Sequence, residues 1–338
     1  MECKTFFNLL LLLSILYFGI KLDRKKKKVV HIGMSINNNY IYPCIVFLTS
    51  LLSNKAPTTI YNIHIMTSKD IKNDYLEKIS LLKEKYRKDT INILFYNMRN
   101  DFNYSNIYGS SITSYYKIAL PSLLPNVDKI IYIDSDVINF EDLSDMYNLK
   151  FKYNKFLMGI LDEFDLINEL DIIADKYINA GILLMNLKEM RKNRIEQKIR
   201  NHIKSINLSC HEHHEQTVIN NVCFNNLDIL SIIYAVFSYK SYGDLVKFNN
   251  NQNIKNRYSE DELKRAFYNP ILLHYPGWIK PWYYSNSNFH SEYWWYYAKQ
   301  SSFYQEIMDK YNYNKNEIEK LLEKIPNDGG FIRKNYKK

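Results

Sequence analysis

From Val29 to Phe140, short apolar, β-branched runs alternate with longer amphipathic ones, and this alternation limits the fold more than any other feature of the chain. VVHIGM (Val29 to Met34), TIYNIHIMT (Thr59 to Thr67), INILFYN (Ile91 to Asn97) and the apolar run Ile130 to Asp134 read as strands. Between them, IYPCIVFLTSLLSN, a charged periodic stretch from about Lys69 to Arg87, and Thr113 to Leu120 read as helices. Strands that alternate with helices are parallel, which predicts an α/β fold. Such sheets bind ligands beyond the carboxyl ends of their strands. The second half is less regular. KFLMGILDEF and GILLMNL read as strands, Lys188 to Lys204 as one amphipathic helix, NPILLHYPG as an apolar strand ending in a histidine, and Tyr304 to Lys324 as helical. There is no internal repeat and no linker. The expected division is residues 1–28, a main domain over 29–285, and a helical extension over 286–338 with a basic tail.

The run KIIYIDSDVINF (Lys129 to Phe140) ends an apolar strand in two carboxylates, Asp134 and Asp136. Like charges this close raise one pKa or require a counter-charge, and a cation supplies one. His274 also ends an apolar strand, so the three side chains can meet at one sheet edge. Two carboxylates and an imidazole suit Mn²⁺ better than Zn²⁺, which favours more nitrogen or sulfur ligands. Taken one at a time, the aspartates could cap a turn and the histidine could belong to the core. In CHEHHEQ (Cys210 to Gln216), consecutive side chains cannot all face one ion, so it reads as a polar loop leading into a helix.

Gly-rich phosphate loops of the GxGxxG or GxxxxGK[ST] kind are absent from the sequence, which argues against a dinucleotide dehydrogenase or a P-loop enzyme. The net charge of +9 is concentrated at the ends, in Lys21, Arg24 and Lys25 to Lys28, and in Arg333, Lys334, Lys337 and Lys338. No nucleic-acid-binding motif accompanies these runs, so they point to an anionic membrane surface instead. The apolar run Phe6 to Ile20 is short for a bilayer span but lacks a small-residue cleavage pattern, and reads as an uncleaved anchor. The positive flank after it favours a cytosolic body. The sequons at Asn103 and Asn207 do not decide the side. The 30 tyrosines reflect compositional bias, and the four cysteines contain no CxxC pair. YWWYY (Tyr293 to Tyr297) reads as core packing, with an acceptor platform or a membrane-interface contact as alternatives.

Five segments appear in a distinctive order: INNNYIYPCIVFLTSLL, SITSYYKIALPSLLPNVDKIIYIDSDV, YINAGILLMNL, HEQTVINNV and HYPGWIKPW. With them, the chain from about Val29 to Trp282 resembles the retaining glycosyltransferases of family 8, which include bacterial lipopolysaccharide galactosyl- and glucosyltransferases and glycogenin. The resemblance implies a single Rossmann-like, nucleotide-sugar-binding domain of the GT-A type with a mostly parallel central sheet. It implies that Asn39 and Tyr40 contact the uridine, and that Asp134, Asp136 and His274 hold Mn²⁺, with Asp134 also near the ribose. Gly277 would let the backbone approach the diphosphate, and Lys280 would pair with it. Lys117 stands where many members carry Arg; it keeps the charge but loses the bidentate fork. Asn179 and Gln216 would face the donor sugar, Gln216 on the side of the anomeric carbon, and Asp162 would contact donor or acceptor.

The implied donor is UDP-glucose or UDP-galactose, and the acceptor a glycan, a lipid-linked glycan or a protein. Glycosyl transfer passes through an oxocarbenium-like state, and with a diphosphate leaving group a metal and a lysine can replace the general acid. Gln216 is a poor nucleophile, which favours front-face transfer over a covalent intermediate. Asn37 and Asn38 replace acidic residues common in the opening motif, and Glu215 and Thr217 replace two aspartates beside Gln216. These departures bear on base and sugar selectivity. Two other readings are a glycogenin-like self-glucosylating protein and a sugar-nucleotide-binding protein without catalysis.

Overall fold

A computed structural model describes residues 27–86, 88–99, 101–102, 112–162, 177–205, 214–239, 241–251, 254–284 and 290–326. Phe6 to Ile20, the basic runs up to Lys26 and from Arg333, both sequons and Cys210 to His213 lie outside them. Among the described residues, no helix is long and apolar enough to cross a membrane.

The described strands are β1 (Lys28–Ile36), β2 (Thr59–Thr67), β3 (Ile91–Asn97), β4 (Ile130–Ile133), β5 (Val137–Asn139), β6 (Leu157–Leu161), β7 (Ile178–Met185), β8 (Leu227–Ile229), β9 (Val236–Phe237) and β10 (Leu272–His274). A central sheet has the order β3-β2-β1-β4-β7-β6-β8, and a small sheet has the order β5-β10-β9. In the central sheet β1, β2, β3 and β4 are mutually parallel, as strand-helix alternation predicts. β7 runs antiparallel to both β4 and β6. All eight residues of β7 are buried, so its sequence carries no alternation from which its place in the sheet could be read.

Period-two alternation divides the strands between two cores. Ile32, Met34 and Ile36 of β1 and Ile131 and Ile133 of β4 face one core, with the helix Ile41–Ser53 and the C-terminal helices. Ile130 and Tyr132 of β4 and Leu183 and Met185 of β7 face the other, with residues of the helices Leu187–Lys192, Ile195–Ser205 and His214–Cys223. Lys188 to Lys204 is therefore two helices. Asn193 Nδ2 donates to Glu189 O at 2.9 Å, and Arg194 takes a left-handed φ of 53°, which ends the first helix. Lys69 to Arg87 is shorter than its periodicity predicts, with α-helix over Asn73–Leu81 and a 3₁₀ turn over Leu82–Lys85. Ile112–Ala119 is 3₁₀ throughout.

The helices after residue 290 pack on the first core. Tyr293, Trp294, Trp295 and Tyr297 are buried in it with Trp282 and Ile307. Trp295 Nε1 donates to Pro281 O at 3.1 Å, and Tyr297 Oη accepts from Asn54 Nδ2 at 2.8 Å. YWWYY is thus core. With Trp294 and Trp295 fully buried, it offers no acceptor platform.

Candidate active site at the carboxyl edge of the sheet

The site forms where the two sheets meet. β4 ends at Ile133 in the central sheet, and β5 begins at Val137 in the small one, so Asp134, Ser135 and Asp136 are the turn between them. β10 pairs antiparallel with β5 and sets His274 opposite Val137. The next pair continues the ladder, Tyr275 N–H donating to Asp136 O at 3.0 Å. That register brings His274 beside the aspartates: ligand atoms of Asp134, Asp136 and His274 all lie within 4.8 Å of one another.

The reversed direction of β7 has a direct consequence. Its amino end, which carries Asn179, Ala180 and Gly181, lies at the same edge as the carboxyl ends of β4 and β6. Asp134 N–H donates to Gly181 O at 2.8 Å, and Asp162 N–H donates to Tyr177 O at 3.1 Å. A Cβ added at Gly181 would lie 2.5 Å from His274 Cε1 and 2.8 Å from Asp134 Oδ2. Only glycine leaves these two side chains where they are.

Lysines face both carboxylates. Lys280 Nζ donates to Asp136 Oδ2 and to Tyr275 O, the latter at 2.7 Å. Lys117, fully buried, donates to Ala180 O at 2.8 Å and to Glu215 Oε1 at 3.4 Å, and sits 3.8 Å from Asp134 Oδ1. Its ammonium also lies 4.6 Å from the centre of the Tyr132 ring. Tyr132 Oη donates to Asp134 Oδ1 at 2.8 Å. Burial pushes the Asp134 carboxyl above its ordinary range, against the pull of Lys117. Burial acts on Asp136 in the same direction, but Lys280 and then His274 outweigh it and hold that carboxyl well below the usual range. The Asp136 Oδ1 atom, buried and 3.3 Å from His274 Nε2, has no hydrogen-bond partner among the described residues. A buried carboxylate oxygen left open beside an imidazole and a second carboxylate fits a hard divalent cation.

The other half of the edge is a closed hydrogen-bond net. Gln216, 7% exposed, accepts from Ala180 N–H through Oε1 at 2.9 Å and donates through Nε2 to Asp162 Oδ2 at 2.9 Å. Asn179 Nδ2 donates to the same Asp162 oxygen at 2.9 Å, and Asn179 Oδ1 accepts from Gly181 N–H at 2.9 Å. Behind them, Asn220 clamps Ile178. It accepts from Ile178 N–H at 2.8 Å and donates to Ile178 O at 2.8 Å and to Gln216 O at 2.9 Å.

Tyr40 lies near the two aspartates. Its phenol is raised by burial, then by the charges of Asp136 and Asp134, and its ring meets Trp282 edge-on at 6.0 Å. Asn39 is exposed, and its N–H donates to Asn37 Oδ1 at 3.0 Å, so Asn37 caps the 3₁₀ turn over Asn38–Tyr40. Asn38 holds the neighbouring loop, its Nδ2 donating to Asp70 O at 3.0 Å. Gly277 has a φ of 76°, a conformation that L side chains avoid. The structure therefore brings Asp134, Asp136, His274, Lys117, Lys280, Asn179, Asp162 and Gln216 into one connected edge. Asn39 is exposed in the turn that carries Tyr40. Lys117 and Lys280 face the aspartates, where the resemblance aimed them at the donor.

Three contributors were not singled out from the sequence: Tyr132, Gly181 and Asn220. Tyr132 precedes Asp134 by two residues on a strand, the spacing that puts both on one face. Gly181 and Asn220 lie within the segments YINAGILLMNL and HEQTVINNV, but what each does there depends on contacts far along the chain.

The family described as "Glycosyl transferase family 8" matches residues 31–286. The chain belongs to that family. It is 24% identical over 278 residues to the general stress protein A of Bacillus subtilis, covering 78% of this chain and 90% of that protein. It is 23% identical over 288 residues to a lipopolysaccharide 1,2-glucosyltransferase of Escherichia coli, covering 78% and 75%. Among solved structures, the galactosyltransferase LgtC in complex with donor and acceptor sugar analogs shares the fold, with a TM-score of 0.69, 18% identity, and coverage of 83% of this chain and all of that one. The bifunctional WbbM glycosyltransferase aligns with a TM-score of 0.64 and 17% identity; the chain spans about half of it, 52%. The enzyme is thus a family 8 glycosyltransferase with a mixed α/β fold around a mostly parallel central sheet, and it carries an Asp-Asp-His group suited to the divalent metal its family uses with nucleotide-sugar donors.

Proposed function

We propose that the enzyme transfers glucose or galactose from a UDP-sugar, with retention at the anomeric carbon, to a glycan, lipid-linked glycan or protein acceptor. The observation that carries this reading is the cluster of Asp134, Asp136 and His274 at the carboxyl edge, with its open buried oxygen on Asp136. The glucosyltransferase and galactosyltransferase among its relatives support a hexose donor.

In this reading Asp134, Asp136 and His274 hold Mn²⁺. Bound there, the ion supplies Lewis-acid neutralisation of the diphosphate leaving group. Asn39 and Tyr40 take the uridine. Gly277 keeps the backbone open for the diphosphate, and Lys280 donates to it. Asn179, Asp162 and Gln216 hold the sugar. Gln216 Oε1 already accepts from Ala180 N–H, which makes it a positioned polar group and not a free nucleophile. Transfer then runs on one face: the bond from anomeric carbon to phosphate oxygen breaks, the acceptor oxygen bonds to that carbon, and the acceptor proton passes to the departing phosphate oxygen. The apolar run Phe6 to Ile20 and the basic residues after it would tether the enzyme to a membrane.

The test is UDP release from a panel of UDP-sugars, measured with Mn²⁺, with EDTA and with Asp136→Ala. Release from one hexose that falls about a thousandfold in EDTA and in the variant is expected, since such an ion contributes several kcal/mol. An Asp136→Ala enzyme with near-normal release would remove the metal role.

A further inference from the structure

The most unusual feature of the metal corner is that Asp136 already has a cation. Lys280 is 7% exposed and its ammonium is shared between Asp136 Oδ2 and the Tyr275 carbonyl. The Asp136 side chain is as enclosed as its partner's, at 10% exposure against 9%. Lys117 lies 3.8 Å from Asp134 but is shared with Glu215, 3.4 Å away. At Asp136 the protein therefore already supplies a counter-charge on a group that a divalent ion would have to use.

From this we infer that Lys280 is a gate on metal binding: it is the counter-ion of Asp136 in the empty enzyme, and it makes tight metal binding conditional on a nucleotide diphosphate. The inference rests on the metal reading above and adds an order to it. A divalent ion that enters the bare site meets an ammonium on the second oxygen of one of its own ligands. In a buried setting, like charges a few ångströms apart repel strongly. A diphosphate brings negative oxygens to which the flexible, four-carbon lysine stem can turn its three donors. Lys280 then leaves Asp136 to the metal, and one of its three donors can stay on the Tyr275 carbonyl. Because coupling between two ligands is reciprocal, the diphosphate raises metal affinity and the metal raises diphosphate affinity by the same factor. Part of that factor comes from the ion touching the phosphate, and the remainder from the release of Lys280. The pairing with Lys280 also offsets the cost of burying Asp136, since an unpaired carboxylate there would be costly.

The test is calorimetric titration of the full chain with Mn²⁺ alone, then with Mn²⁺ in the presence of UDP. Wild type is compared with Lys280→Met, which keeps the stem and removes the charge. Lys280→Gln keeps one donor for the Tyr275 carbonyl and serves if the methionine variant does not fold. Wild type should bind Mn²⁺ weakly alone and at least about a hundredfold more tightly with UDP. The neutral variants should bind Mn²⁺ alone about tenfold more tightly than wild type, with the UDP-induced gain reduced. Mn²⁺ affinity that is unchanged or weaker in a folded neutral variant would overturn the gate while leaving the metal site standing. Absence of Mn²⁺ binding to wild type even with UDP would overturn the metal reading and the gate together. Binding that survives Asp136→Asn in full would place the ion elsewhere, with the same consequence.

Discussion

The two halves of the carboxyl edge are built on opposite plans. The metal corner pairs carboxylates with ammonium groups and leaves a buried oxygen of Asp136 without a partner. The sugar corner, a few residues away along β7, satisfies Gln216, Asn179 and Asp162 with one another and with the backbone. An unsatisfied buried carboxylate oxygen beside an imidazole and a second carboxylate is a place where an ion can complete the structure. A closed net marks side chains fixed in position before a ligand arrives, which is what orientation of a reacting sugar requires. In the proposed function one corner would be completed by its ligand, and the other would hold its shape without one.

Gly181 is the point at which the two plans touch, so it gives the sharpest way to break the contrast. Gly181→Ala would drive a methyl group into His274 and Asp134. Mn²⁺ affinity in the presence of UDP should fall about a hundredfold. Titration of a folded variant with undiminished affinity would show that the ligands can shift freely and that the corner is not tightly built. Asn220→Ala should act next most strongly, and on stability. It removes three buried hydrogen bonds behind the sugar corner and should cost about 2 kcal/mol in denaturant unfolding, with Mn²⁺ affinity unchanged. Gln216→Ala should lower turnover about tenfold and leave Mn²⁺ affinity within a factor of about two. A parallel loss of metal affinity in that variant would mean that the two corners are one unit.

The smallest effect lies away from both corners and serves as a control. His31 Nδ1 and His64 Nε2 are 2.9 Å apart on neighbouring strands, and His64 Nδ1 lies 2.9 Å from Tyr96 Oη. Burial, then His31, lowers the His64 imidazole to about 4. The folded chain therefore resists a proton that the unfolded chain accepts near pH 6.5. Stability should be level above that pH and fall as the pH drops toward 4, by about 1 kcal/mol at pH 5. Unfolding curves at pH 7 and pH 5 check this, and His64→Asn should flatten the slope. An equal slope in the variant would assign the loss to other groups.

How much of this could be read in advance depended on how local each cause was. β2 and β3 follow from alternation within their own residues, and their bounds, Thr59–Thr67 and Ile91–Asn97, are those of the apolar runs. Asp134 and Asp136 stood out because an apolar strand seldom ends in paired charge without a reason, and His274 because it ended another. The direction of β7 was hidden by burial on both faces, and with it the reason Asn179 and Gly181 reach the same edge as Asp134. The partners of the lysines were hidden by distance along the chain. Lys280 and Asp136 are separated by 144 positions, and Lys117 and Ala180 by 63. Resemblance to a family supplies positions, but it does not say which charge a lysine neutralises in the empty enzyme.

The most direct measurement is anomalous diffraction from crystals grown with Mn²⁺ and UDP. A single strong manganese peak within bonding distance of Asp134, Asp136 and His274, with Lys280 turned from Asp136 to the diphosphate, is the predicted result. Well-ordered UDP at this edge with no manganese peak among the three side chains would contradict the account.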